Sequence, residues 1–348
     1  MSNNAEKRGA LAVAKRTGIS ALKIGLAAAL ITWQVKSKRL DPAPLIHLDF
    51  DARCTALLAA GLVSVGVGVL LLGWRLKLLM NFQRFDLSLK QAVNLTFIGS
   101  FFGTVLPGMV GGDVVKAVYL CGGAGKRRIS IVSAVLMDRV LGTYALFSLG
   151  TIALIAAWAA DSLNADTTLL MASPIIVAVL TIGALLVASD RCFNSAGVQK
   201  ACSACPNLVR NLIFSLRSYL VSPRLVVLAL LVSVLNHALV VTSYVIAAFL
   251  LRDKLSVSDY FVISPLAMVM NMVPLTPGGL GITESAFSFL FRAAGSSNGA
   301  LVGLLGRFIQ YVVFALGGVV GLLSAKFGVQ IQYADSERSK DVVETGAL

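Results

Sequence analysis

Long apolar runs are the feature of this sequence that most restricts its fold. Several of them exceed 18 residues, and a helix of about 20 apolar residues crosses the hydrocarbon core of a bilayer at about 1.5 Å of rise per residue. The chain is 57% hydrophobic and only 14% charged. We therefore expect its 348 residues to form one integral membrane domain without a separate soluble domain.

Six of the runs are predicted to be full transmembrane helices. They are Ile19–Val35, Cys54–Leu79, Ile129–Trp158, Thr168–Ala188, Leu225–Leu251 and Ala300–Ala325. The predicted transmembrane domain covers residues 18–326, between polar tails at residues 1–17 and 327–348. The first run lacks a small-residue cleavage site and further spans follow it, so we interpret it as a retained helix rather than a signal peptide.

Lysine and arginine concentrate in alternate loops, as the positive-inside rule requires. The N-terminal tail and the loop of residues 190–224 are basic, whereas "ADSLNADT" has two acids and no base. We therefore predict that both termini are cytoplasmic. The same distribution accounts for the formal net charge of +13, so no nucleic-acid partner is expected. The motif "CSAC" has no second CxxC or histidine pair near it, and neither a metal nor another cofactor is expected.

Two shorter apolar runs, Gln91–Leu106 and Tyr260–Leu275, do not fit as full spans. Each has 16 residues and ends in a proline–glycine break, "LPGMVGGD" or "LTPGGLGITE", after which a second short apolar run follows. Irregular backbone at membrane depth must be buried in protein or line a cavity. We predict two re-entrant helical hairpins; the alternative is a pair of kinked full helices, which would change the number of spans.

Charge and spacing relate the two breaks. The first hairpin begins and ends on the side assigned to the cytoplasm, and the second begins and ends on the other side. An acid follows each break and an arginine lies in the next full span: Asp113 and Arg139 in the first half, Glu284 and Arg307 in the second. Such inverted repeats, with broken helices that meet near the midplane, are typical of transporters. The predicted fold is thus an all-α polytopic membrane protein with two oppositely oriented re-entrant hairpins.

The glycines of the breaks and the charged residues near them form the candidate binding site. Glycine permits a positive φ and the close approach of another group to the backbone. Asp113 is predicted to be the N-cap of a half-helix, whose N-terminus would attract an anion. Lys116 adds a positive charge one turn later. The predicted substrate-binding residues are Gly111, Gly112, Asp113, Lys116, Asp138, Arg139, Gly278, Gly279, Gly281, Glu284 and Arg307.

Two interpretations stay open for these residues. Asp138, Arg139 and Arg307 are expected to face the protein interior and to form ion pairs, for which Asp113 and Glu284 are available partners, because a charged group facing lipid costs at least ~2.5–3.5 kcal/mol; the alternative is that Asp138 and Arg139 snorkel at the cytoplasmic edge. The proline–glycine turns bind a ligand or are structural kinks.

His237 fits a helix-to-helix hydrogen bond better than a proton carrier. No GxSxG, P-loop or HExxH motif occurs, so no enzyme is expected, although the acids would suffice for acid–base chemistry.

Three segments, "LPGMVGGDVVKAVYL", "DRVLG" and "PLTPGGLGITESAF", resemble the lysylphosphatidylglycerol synthase transmembrane-region family. The resemblance covers about Leu57 to Ala325 and implies a flippase-like protein of the bacterial inner membrane with two re-entrant segments. It supports the predicted site residues together with Pro107, Gly108 and Pro277, whereas Arg307 depends on the repeat alone. The best-known members flip aminoacylated phosphatidylglycerol and carry a fused synthase domain. This chain has no room for that domain, so synthase activity is not expected.

Three functions follow from these patterns. The leading hypothesis is a flippase or transporter whose partners are membrane lipids, either an anionic phospholipid or a hopanoid-like lipid, since stand-alone relatives are associated with hopanoids among other lipids. The second is a non-transporting membrane partner of a lipid-modifying enzyme. The third is a small-anion or proton-coupled transporter. A homo-oligomer is compatible with each of them.

Overall fold

The computed structural model of the chain is a bundle of helices. It describes residues 32, 36, 50–106, 110–122, 127–160, 172–273, 275–325 and 332–333. Helices α1 to α12 are, in order, Ala52–Phe82, Leu89–Val105, Val110–Cys121, Arg128–Ala159, Ala172–Ala188, Asp190–Phe193, Ala196–Ala204, Asn207–Leu220, Pro223–Leu250, Val257–Met268, Ile282–Ala293 and Gly299–Ala325. Two strands of two residues each, β1 (Phe85–Asp86) and β2 (Gln332–Tyr333), pair antiparallel.

Four of these helices, α1, α4, α9 and α12, are long and apolar enough to cross a membrane. They match the second, third, fifth and sixth predicted spans within a few residues. The described part of the fourth predicted span is α5, an apolar helix of 17 residues. The first predicted span, both tails, Pro107 and Gly108 lie outside the described residues, apart from residues 32, 36, 332 and 333. The chain is thus a multi-pass membrane protein, and the regular structure of its described residues is helical apart from the β1–β2 pair.

Both predicted breaks are present as interruptions between short helices. Ser88 begins α2 with a capping box that involves Gln91. The helix ends at Leu106, which is extended (φ −80°, ψ 153°) because the proline that follows it in the sequence disfavours the α conformation. In the second half, α10 continues into a 3₁₀ turn at Val269–Met272, and α11 begins only at Ile282. The re-entrant arrangement of these helix pairs stays a prediction.

The two breaks use glycine differently, which corrects one prediction. In the second break Gly278, Gly279 and Gly281 all have positive φ, at 54°, 74° and 84°. In the first, α3 already begins at Val110, so Asp113 lies within the first helical turn and is not the N-cap. The two glycines before it are helical, and their role is close packing. A Cβ atom on Gly112 would lie 2.0 Å from the carbonyl oxygen of Gly99 in α2.

The full helix that follows each break packs against a helix of the other half. α12 lies along α2, and α4 lies along α10. Small residues permit the first contact: Cβ atoms on Gly317 and Gly318 would lie 2.0 Å and 2.4 Å from the side chains of Phe97 and Phe101. The long helices α1 and α9 also pack together. The two halves are therefore interleaved, which places both breaks in the centre of the bundle.

The segment predicted as a basic loop, residues 190–224, contains helices α6, α7 and α8. α8 is amphipathic and packs on α4, with Tyr219 fully buried. The Tyr219 hydroxyl donates to the carbonyl of Leu79 at 3.1 Å, and burial raises the pKa of this phenol. The guanidinium of Arg217 lies over the ring of Phe193 at 4.2 Å. The loop is therefore an ordered helical layer at one end of the bundle.

Candidate functional site

A cavity of about 170 Å³ lies at the centre of the bundle, next to both breaks. Its walls come from α1, α2, α3, α4, α9 and α12, from the last residue of α10 and from the segment between α10 and α11. Apolar side chains such as Val65, Leu146 and Phe314 form part of the wall. Charged, amide and hydroxyl side chains, His237 and several glycines also line it, so the cavity suits a ligand with both a polar and an apolar part.

Five ionisable residues of the first half form a connected group, here named the charge cluster: Arg75, Asp113, Lys116, Asp138 and Arg139. Arg139 Nε donates to Asp113 Oδ2 at 2.7 Å, and Arg75 Nε donates to Asp138 Oδ1 at 2.7 Å. The Lys116 ammonium lies between the two acids, 3.5 Å from Asp113 Oδ1 and 4.0 Å from Asp138 Oδ2. Three cations thus share two carboxylates, which gives the cluster a formal charge of +1.

Exposure decreases from one side of the charge cluster to the other. The Arg139 side chain is 29% exposed, that of Asp113 15%, and that of Lys116 11%. Asp138 and Arg75 are almost fully enclosed. A charged ligand that enters from the open side would therefore meet Arg139 first and Lys116 next.

The charged pair of the second half is almost fully buried, with Arg307 at the cavity wall and Glu284 behind it. The Glu284 side chain has no exposed area, and Arg307 Nη1 donates to Glu284 Oε1 at 2.7 Å. The same guanidinium donates to the carbonyl oxygens of Gly278 and Gly279 and contacts the Tyr311 hydroxyl. Glu284 in turn accepts a hydrogen bond from the amide of Gly281. This pair stabilises the glycine turn. The carbonyl oxygens of the turn are buried and need hydrogen-bond donors, which the Arg307 guanidinium supplies.

The two breaks touch each other directly. The amide of Gly278 donates to the carbonyl of Leu106 at 3.4 Å. A Cβ atom on Gly278 would lie 3.0 Å from the carbonyl oxygen of Thr104 and 2.8 Å from the Tyr311 hydroxyl. Glycine is thus required here both by its φ and by the close approach of the two turns. The turns meet at the wall of the cavity, to which Thr104, Gly278 and Tyr311 all contribute.

With this geometry established, the sequence match is informative. The family model for the transmembrane region of lysylphosphatidylglycerol synthase matches residues 20–318. The chain belongs to this family. The match covers most of the chain, including both breaks and every predicted site residue. No curated protein matches the sequence. Membership in the lysylphosphatidylglycerol synthase transmembrane-region family makes the chain a lipid-related membrane protein.

In this family member, the structure divides the eleven predicted site residues into two sets. Six line the cavity: Asp113, Lys116, Asp138, Arg139, Gly278 and Arg307. The other five, which are Gly111, Gly112, Gly279, Gly281 and Glu284, lie behind the wall among the described residues. In the first half, Gly111 and Gly112 position the cavity-lining residues through helix packing. In the second half, Gly279, Gly281 and Glu284 do so through the glycine turn and the ion pair with Arg307. The predicted pairing of Arg139 with Asp113 and of Arg307 with Glu284 is present.

Arg75 was not predicted to be a site residue, although the predicted span Cys54–Leu79 contains it. Arg75 is only 4% exposed and lies inside α1, where its Nη1 also donates to the Ser233 hydroxyl at 2.6 Å. A basic residue inside a predicted span, about one turn before its end, is a usable signal, since such a residue has to pair or reach water. Asn236, Gln310 and Tyr311 of the wall were also missed, whereas His237, which was left out of the predicted site, makes the helix-to-helix hydrogen bond expected of it.

Proposed function

We propose that this family member is a transporter that moves an anionic lipid across the bacterial inner membrane and holds the headgroup at the charge cluster. The observation that carries the proposal is the formal charge of +1 on a largely buried group of five residues. An uncompensated charge away from water is costly. A single negative charge, such as a phosphodiester, would neutralise the cluster and gain charge-assisted hydrogen bonds.

The two broken helix pairs support transport rather than static binding. They touch at the cavity wall through Gly278 and Leu106, and each is flanked by a full helix that packs on the other half. Alternating access in inverted repeats occurs by rocking of one half against the other around a central site. We propose that both pairs are re-entrant, that they enter from opposite faces, and that both chain termini are cytoplasmic.

Cysteine labelling tests this topology. Four exposed positions next to the broken pairs are suitable: Ser88 before α2, Gly122 after α3, Lys254 before α10 and Ser297 before α12. In a background with the native cysteines changed to serine, cysteines at the first two positions should react with a membrane-impermeant maleimide from the cytoplasmic side only. Cysteines at the last two should react from the opposite side only. Labelling of Ser88 and Gly122 variants from different sides would show that α2 and α3 form a kinked full crossing.

The charge of Lys116 tests the headgroup site. Lys116→Glu changes three cations and two acids to two cations and three acids, a formal charge of −1 on the cluster. We expect translocation of a fluorescent anionic phospholipid in proteoliposomes to fall at least ~10-fold. A hydrogen bond to a charged group contributes about 1.5–3 kcal/mol, and 1.4 kcal/mol is a factor of about 10. Lys116→Arg keeps the charge and should retain partial activity.

The experiment has a control variant, and its other outcomes would support the alternative functions. Asp190→Asn changes a surface acid that is 84% exposed and should leave transport unchanged. Equal movement of the anionic lipid by wild type and Lys116→Glu would contradict the headgroup site. If the folded wild type moves neither anionic nor zwitterionic phospholipids nor a hopanoid-like lipid, the function is that of a non-transporting partner. Movement of a small anion without lipid would instead show a solute transporter.

A further inference from the structure

His237 of α9 has one satisfied and one unsatisfied ring nitrogen. Nε2 lies 2.9 Å from the carbonyl oxygen of Gly142 in α4. A carbonyl only accepts hydrogen bonds, so Nε2 carries the hydrogen, and Nδ1 of the neutral imidazole is then an acceptor with a free lone pair. Nδ1 is buried and has no hydrogen-bond partner among the described residues. The great majority of buried polar side-chain atoms do have one.

This acceptor lies beside the charge cluster. His237 lines the same cavity as Lys116 and Arg139. Gly142, which holds Nε2, lies one turn after Asp138 on α4, and a Cβ atom at Gly142 would lie 3.3 Å from Arg75 Nη1. The wall of the cavity therefore carries an excess positive charge and includes His237, whose buried Nδ1 is a hydrogen-bond acceptor that no group of the described residues uses.

We propose that His237 Nδ1 accepts a hydrogen bond from a hydroxyl group of the lipid headgroup. The substrate class is then a lipid with one anionic phosphodiester and a hydroxyl-bearing headgroup. The phosphodiester neutralises the charge cluster, and the hydroxyl satisfies Nδ1. An anionic headgroup without a donor would leave Nδ1 without a partner, so it binds less well. This inference rests on the proposed lipid site, and it makes His237 a specificity-determining residue of that site.

Two lipids of equal charge isolate the hydroxyl. Phosphatidylglycerol and phosphatidylmethanol with the same acyl chains each carry one negative charge, and only the first has headgroup hydroxyls. Binding is measured on the purified full chain in detergent micelles as the rise in the unfolding midpoint with increasing lipid. The wild type should prefer phosphatidylglycerol roughly fivefold, the difference expected from one neutral hydrogen bond. This comparison requires no variant.

The variant His237→Phe keeps a planar ring and removes both nitrogens. It should bind phosphatidylmethanol as well as the wild type does and lose the preference for phosphatidylglycerol. The matched control is Tyr144→Phe, which removes a hydrogen bond of 2.7 Å to Thr181 between α4 and α5, outside the cavity wall. It should lower the unfolding midpoint without lipid and leave the preference intact.

Each outcome decides between the inference and the proposed function. Equal binding of the two lipids by the wild type, or a preference that survives in His237→Phe, would overturn the role of His237 and leave the charge site standing. Binding of neither lipid would refute the lipid site itself, and the inference with it. A hydroxyl preference in binding without translocation in proteoliposomes would uphold the inference and reject transport.

Discussion

Arg307→Ala should lower the free energy of unfolding by about 3–5 kcal/mol, the range measured when one partner of a buried ion pair is removed. Glu284 would remain as a carboxylate with no exposed area and, among the described residues, without another ion-pair partner. The carbonyls of Gly278 and Gly279 would lose their donor as well. The measurement is the unfolding midpoint in lipid nanodiscs, with lipid translocation followed in parallel.

Matched variants separate burial from charge in this experiment. Glu284→Gln breaks the buried pair by changing a carboxylate to an amide, and Asp190→Asn makes the same change in a pair whose acid is 84% exposed. The second change should cost less than ~1 kcal/mol. The double variant Arg307→Met with Glu284→Gln should recover part of the loss, because it leaves no buried charge. Wild-type stability of Arg307→Ala would show that the pair does not hold the second break.

The equivalent change in the first half should be milder. In Arg139→Ala, Asp113 still has the Lys116 ammonium at 3.5 Å, and both side chains are partly exposed. Asp113 therefore keeps a cationic partner when Arg139 is removed, whereas Glu284 has no second ion-pair partner among the described residues. The spacing of acid and arginine after each break predicts both ion pairs. It does not show that the first belongs to a group of residues that faces a ligand and that the second stabilises the fold.

The long spans and the breaks were predictable because their signals are local. Apolar length determines α1, α4, α9 and α12, and a proline ends α2 at Leu106. The charge cluster was predictable only in part. Arg75 reaches Asp138 across 63 positions of sequence, and no periodicity or motif encodes such a contact between helices. The helices of residues 190–224 were missed because basic residues between spans were read as a solvated loop.

The glycines of the first break show the same limit. The pattern "GGD" predicts an N-cap after a flexible turn, and the structure has helical backbone there. The reason lies outside the motif. Gly112 is helical because α3 crosses α2 at Gly99, where a Cβ atom would lie 2.0 Å from the carbonyl oxygen of Gly99. Two glycines on neighbouring helices permit this contact, and only the three-dimensional arrangement shows that they face each other.

Gly112→Val is therefore expected to push α2 and α3 apart, not merely to block the approach of a ligand. The new side chain would overlap the carbonyl of Gly99 and approach the amide of Gly103, whose nitrogen lies 3.2 Å from the Cβ position. Overpacking of a tight contact typically costs about 1–3 kcal/mol, and rigid backbone on both sides places this site at the upper end. The unfolding midpoint should fall, and Gly183→Val, with nothing within 4 Å of its Cβ position, is the control.

The same substitution connects packing with the charge cluster. A Cβ atom on Gly99 would lie 2.4 Å from Cε of Lys116, so the Lys116 stem lies directly against the helix that Gly112→Val displaces. Movement of α3 away from α2 would shift the ammonium relative to Asp138, from which it is now 4.0 Å away. We expect translocation of the anionic lipid to be lost even at temperatures where the variant stays folded. A variant with lower stability and full translocation would show that the position of Lys116 does not depend on the α2–α3 contact.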